Sequence, residues 1–73
     1  RVNLGDAVDA AVKVYDVNGR LVRTLISGRL AGAYVIAWNG ENERADLIAG
    51  GMYFAVLEVE SRPVLTRKMV LLK

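Results

Sequence analysis

The chain is predicted to be all-β, an antiparallel β-sandwich of about six to seven strands, and three observations predict it. Apolar residues recur with period two, the spacing that places alternate side chains on one face of a strand. Clusters of Gly, Asn, Asp, Ser and Pro interrupt these runs at roughly 8–12-residue intervals, as in small all-β folds. A sustained 3.6-residue periodicity is missing. The 73 residues (8.0 kDa) are read as one domain spanning 1–73, about half the length of a typical domain. Of these residues 53% are apolar, and there is neither cysteine nor histidine. A fold this small must therefore rest on its apolar side chains alone, without disulfide, thiolate or imidazole-metal support.

Val2 to Leu4 is a short apolar-edged run closed by Gly5-Asp6. Ala10 to Asp16 alternates, with Val12 and Val14 on one side and Lys13 and Tyr15 on the other, the pattern of a half-buried strand. Asp16-Val17-Asn18-Gly19 follows, and its Asn-Gly pair suits the positive φ of a tight hairpin turn. Arg20 to Ile26 resumes the alternation, and Ser27 to Gly32, with two glycines, reads as a loop. Ala33 to Trp38 sets Tyr34, Ile36 and Trp38 on one face, with Trp38 expected between two sheets. Asn39 to Gly51 is polar and then apolar, and Glu43 to Ala49 is at most a helical turn, too short to stand alone. Met52 to Glu60 is the next strand, Ser61-Arg62-Pro63 its turn, and Val64 to Leu72 the last strand. Repeats, low-complexity tracts and interior linkers are not found.

Composition excludes several function classes. The net charge is +2, and Arg20, Arg23, Arg29, Arg62, Arg67, Lys68 and Lys73 are spread among apolar positions rather than clustered with aromatics. No nucleic-acid partner is expected from that distribution. No apolar run approaches the ~20 residues of a membrane-spanning helix, so no membrane span is expected. A basic-then-apolar leader is not seen at the start, and the chain opens at Arg1 without Met. It therefore reads as a fragment or processed piece of a longer protein.

No enzyme is expected, and no catalytic residue is assigned. The hydroxyl candidates other than the tyrosines, Ser27, Ser61, Thr24 and Thr66, have no histidine to act as base. Ser27 and Ser61 sit in predicted turns, where serine commonly bonds backbone. Eight acids on so small a sandwich leave no cleft for a paired-carboxylate site. Asn39, Glu41, Asn42, Glu43 and Asp46 offer oxygens to Ca²⁺, but Arg44 lies among them and the spacing is not that of a helix–loop–helix site. A solvated acidic turn is the reading adopted, with no metal or cofactor. Asp16 and Asn18 are read as turn formers and Tyr53 as a tyrosine-corner anchor bonding nearby backbone.

One string goes further. Val14-Tyr15-Asp16-Val17-Asn18-Gly19-Arg20-Leu21-Val22-Arg23-Thr24-Leu25 resembles the opening of the FlgD-like immunoglobulin-like domains. Those domains are similar to the C-terminal sorting domains of type IX secretion substrates. The resemblance continues through Ala31-Gly32, Trp38-Asn39-Gly40 and Ala49-Gly50-Gly51-Met52-Tyr53-Phe54, and ends on Thr66-Arg67-Lys68-Met69-Val70-Leu71-Leu72-Lys73. It covers residues 10–73. Asn39 stands where the family has Asp, Ala45 where it has a turn glycine and Gly50 where it has Ser, so the 39–46 turn is expected to differ locally. The resemblance implies an immunoglobulin-like (fibronectin type III-like) sandwich, with Tyr15, Asp16, Asn18, Gly19, Trp38, Gly40, Gly51 and Tyr53 as its structural motif.

It also implies a non-catalytic sorting or anchoring module of an exported bacterial protein, located outside the cell or at its surface. Thr66 to Lys73 would be the signal that a secretion or cell-surface apparatus reads. The final strand carries apolar groups on both faces. Such a strand is either covered on both sides at the centre of a sheet or open to a partner at its edge. The alternative function is structural: a scaffold, filament or adhesin subunit, self-associating or docking on other domains of its parent chain through strand edges and apolar faces. A sugar-binding module is the third reading, with Tyr15 its one candidate exposed aromatic.

Overall fold

Period-two patterning becomes six antiparallel strands in the computed structural model, which describes residues 2–44 and 46–72. They are β1 (Val2–Asn3), β2 (Val8–Asp16), β3 (Leu21–Leu30), β4 (Ala33–Tyr34), β5 (Gly51–Val59) and β6 (Arg62–Leu71). Four of them form one sheet in the order β3-β2-β5-β6, while β1 and β4 pair in a short ladder of their own. The chain is therefore all-β and antiparallel, with most of its ladder in one sheet.

The alternation in β2 decides which face of that sheet is inner. Ala10, Val12 and Val14 are buried, and the register sets Val59, Leu57 and Ala55 of β5 beside them. Lys13 and Tyr15 point the other way, opposite Val56 and Phe54, and form an outer face. Ile36 and Trp38 cross the inner face and share a cleft with Val12, Leu25 and Ala55. The cover is thin: only Ala10, Val12, Val14 and Tyr53 count as buried hydrophobics among the described residues. The accessible surface of 4979 Å² exceeds the ~4,450 Å² expected of a compact monomer of this mass.

Several elements differ from the sequence-based expectation. Ser27 to Leu30 is strand rather than loop, paired with Ala11 to Val8; the ladder partner satisfies its backbone groups and overrides the turn character of Ser27 and Gly28. In β3 the strict alternation is broken by two register shifts against β2, which leave Leu25 and Val22 as extra residues. Leu25 lines the inner-face cleft together with Val12. The strand expected over 33–38 is a ladder only at Ala33–Tyr34. Its alternation survives, with Tyr34, Ile36 and Trp38 half-buried and Val35, Ala37 and Asn39 exposed. Which side faces the sheet depends on side chains, whereas a ladder needs a neighbouring strand, and here that neighbour is the two-residue β1.

The β5–β6 turn lies at Glu60 and Ser61, both with positive φ (52° and 65°), so Arg62 and Pro63 belong to β6. Pro63 has no N–H to donate and is tolerated because β6 is an edge strand. Between Glu41 and Ala49 the described residues form a turn and a single bridge, Glu41 to Leu47, and no helix. Ala45 lies outside the described residues.

Candidate functional site

Of the residues read as a partner signal, Thr66, Arg67, Lys68, Met69, Val70 and Leu71 lie in β6, paired in order with Val56, Ala55, Phe54, Tyr53, Met52 and Gly51. Leu72 follows the strand and is 85% exposed; Lys73 lies outside the described residues. The register gives each face its own set. Leu65, Arg67, Met69 and Leu71 share the inner face with Leu57, Ala55 and Tyr53, while Thr66, Lys68 and Val70 share the outer face with Val56, Phe54 and Met52. Residues 62–68 are exposed throughout.

An apolar cleft of about 230 Å³ opens beside this strand, floored by Val12, Leu25 and Ala55, walled by Ile36 and Trp38, and bounded by Leu65, Arg67 and Met69. Burial falls across it, from Val12 at 7% exposure to Leu65 at 41%. The cleft is thus closed at β2 and open at the β6 edge. A larger hollow of about 420 Å³ on the outer face includes Lys13, Glu58, Asp9 and Arg29. Its charges already pair with one another, Lys13 Nζ with Glu58 Oε1 at 2.9 Å and Arg29 Nη1 with Asp9 Oδ1 at 3.7 Å.

The motif residues build the frame around the cleft. Trp38 and Tyr53 meet edge to face, ring centroids 5.2 Å apart. The Trp38 indole Nε1–H donates to the Glu41 carbonyl at 2.8 Å, and the Tyr53 hydroxyl donates to the Ala49 carbonyl at 2.6 Å. The two rings thereby hold both ends of the 41–49 loop. Gly40 is buried with φ +81°, and a Cβ there would meet Leu71 Cδ1 at 3.0 Å. Gly51 opens β5 at φ +150°.

At the β2–β3 turn, Asp16 Oδ1 accepts the backbone N–H groups of Asn18 and Arg20, each at 2.9 Å. Arg20 Nε–H donates to Asp16 Oδ2 at 3.2 Å, and Gly19 supplies the left-handed residue at φ +80°. Those donors, the Arg20 N–H foremost, hold the Asp16 carboxyl below its ordinary range. Tyr15 is half-buried on the outer face and donates to Glu58 Oε2 at 3.1 Å.

Three side-chain oxygens of the 39–46 loop, on Asn39, Glu41 and Asn42, accept hydrogen bonds from within the loop. Asn42 Oδ1 accepts the N–H groups of Arg44 and Asp46, and Asn39 Nδ2–H donates to Glu41 Oε1. Among the described residues no group of three acidic side chains is gathered as metal ligands. Two anchors escaped sequence reasoning. Arg23 Nη1–H donates to the Asn42 carbonyl at 3.0 Å, and Glu43 Oε1 accepts the Thr24 N–H, so the loop is tied to β3. The Lys13–Glu58 pair escaped it too, because which acid faces which base appears only once the β2–β5 register is known. Among the described residues no helix is long and apolar enough to cross a membrane. No protein-family model, curated protein or solved structure matches the chain.

Proposed function

We propose that the chain is a non-catalytic, immunoglobulin-like module that sorts or anchors an exported bacterial protein at or beyond the cell surface. One observation carries the reading: the strand holding Thr66 to Leu71 is at the edge of the four-stranded sheet, in the order β3-β2-β5-β6, with no strand paired on its far side among the described residues. An edge strand offers a row of backbone N–H and C=O groups to a partner, which a central strand does not. The β1–β4 ladder and the segment through Trp38 stand, in this reading, for the second layer of the sandwich. The experiment is truncation of residues 66–73 in the exported parent protein. Retention inside the cell is the expected result, and unchanged export overturns the proposal.

A structural-assembly role is the second reading, favoured by exposed apolar side chains at Val35, Leu47 and Val70. Light scattering separates the two. A monomer at high concentration removes the self-association form of assembly, and a concentration-dependent oligomer favours it.

A further inference from the structure

We propose that the β6 edge and the cleft beside it take an extended acidic peptide segment, added to the sheet as a fifth strand with an apolar side chain seated in the cleft. The proposal rests on the reading of β6 as a partner-binding edge and names the chemistry of the partner.

The edge selects by charge. Arg62, Arg67 and Lys68 give β6 three cations, and the strand has no acid. Like Arg44, none of the three makes an ion pair with an acid among the described residues, whereas Lys13, Arg20, Arg23 and Arg29 all do. The register places Arg67 on the inner face and Lys68 on the outer one. A strand laid along β6 meets a positive charge whichever face its own charged residues take. Like charges facing each other across a ladder are destabilising, and opposite charges stabilise it. A second copy laid along the same stretch would set its own Arg67 and Lys68 against these two cations, so the same residues that attract an acidic strand oppose pairing between copies.

Apolar complementarity completes the site. Alternate side chains of an added strand project to the inner face beside Leu65 and Met69, where the cleft opens toward Trp38. Backbone pairing supplies affinity, and the alternate side chains supply specificity. Pro63 and the register shift between Leu57 and Glu58 spoil the ladder near the turn. Docking is therefore confined to the part of β6 from Leu65 to Leu71.

The test uses the 73-residue chain and two decapeptides, one alternating glutamate with valine and one alternating lysine with valine. The glutamate peptide is expected to slow hydrogen exchange of outward-facing β6 amides by roughly tenfold and to shift Trp38 fluorescence. Binding is expected to weaken about tenfold or more between low salt and 1 M salt. The lysine peptide is expected to do neither. Exchanging the charges with Arg67→Glu and Lys68→Glu reverses the preference, and because both positions are exposed circular dichroism of the variant is expected to be unchanged. Equal binding of both peptides, protection elsewhere than β6, or β6 protection that rises with protein concentration without peptide overturns the proposal. These outcomes do not depend on export: truncated protein that is still exported alongside intact peptide binding overturns the sorting role alone.

Discussion

Trp38 and Tyr53 lie edge to face at 5.2 Å, and each spends its one polar hydrogen on a backbone carbonyl of the same loop, Glu41 for the indole and Ala49 for the phenol. The pair is thus both a packing contact and a clamp on the segment that carries Gly40 against Leu71. Tyr53→Phe keeps the ring and loses the hydrogen bond, and is expected to cost about 1 kcal/mol. Trp38→Ala removes one wall of the cleft and is expected to cost roughly 3 kcal/mol. A double-mutant cycle with Tyr53→Ala is expected to give a coupling near 1 kcal/mol in urea denaturation. Additive single costs would show that the two rings do not act together.

Stability should depend on pH at both ends of the scale. Lys13 hydrogen-bonds the Glu58 carboxylate and holds it below its ordinary 4.5, and backbone N–H donors do the same for Asp16 against 3.8. A carboxyl lowered in the folded state contributes stability above its ordinary value and loses it as pH falls through the lower folded value. Glu58 raises Lys13 above 10.5, and desolvation first, then the Glu58 hydrogen bond, raises Tyr15 above 10.0. Those contributions are present below the ordinary values and are lost as pH rises through the folded ones. The urea midpoint is therefore expected to be flat from about pH 5 to pH 9 and to fall on either side. Glu58→Gln should make the alkaline fall shallower while leaving Asp16 its share of the acid fall. An alkaline limb identical in the variant would show that the Lys13–Glu58 pair contributes nothing.

Gly40 and Gly19 separate two costs that are normally confounded. Both have φ near +80°, where an L side chain is strained, yet a Cβ at Gly19 meets open space and one at Gly40 meets Leu71 at 3.0 Å. Gly19→Ala is expected to cost about 1–2 kcal/mol from backbone strain alone. Gly40→Ala should cost more by the displacement of Leu71, visible as a larger drop in melting temperature. Equal drops would mean that the Leu71 side chain swings aside without loss.

Strand identity was legible where a strand's own residues carry the signal. Val12 and Val14 against Lys13 and Tyr15 declare both β2 and its buried face, and Asp16 to Gly19 declare the hairpin that ends it. What a second strand contributes was not legible. Ser27 to Leu30 carry turn residues and become strand because Val8 to Ala11 lie alongside, and no local pattern reveals that partner. The edge position of β6 is likewise a property of strand order, since apolar residues on both its faces suit a central strand as well. Charge within the strand was on view from the start; that Arg67 borders the apolar cleft and Lys68 the opposite face follows from register alone.

The turn between β5 and β6 seats two non-glycine residues in backbone that disfavours them. Glu60 and Ser61 occupy left-handed backbone at φ 52° and 65°, a two-residue geometry in which Asn and Gly are strongly preferred. Each L residue there carries roughly 1–2 kcal/mol of strain from its Cβ against the backbone. The hairpin tolerates this because β5 and β6 pair from Val59–Arg62 onward and the Glu60 N–H donates to the Asp9 carbonyl at 2.8 Å, fastening the turn to β2. Ser61→Gly leaves that hydrogen bond in place and removes one strained Cβ from an exposed site. The variant is expected to be more stable by about 1 kcal/mol, with the gain in the urea midpoint and little change in its slope. A neutral or destabilising result would mean that glycine's extra freedom in the unfolded chain outweighs the relieved strain. The turn would then be held by its ladder rather than by its own conformation.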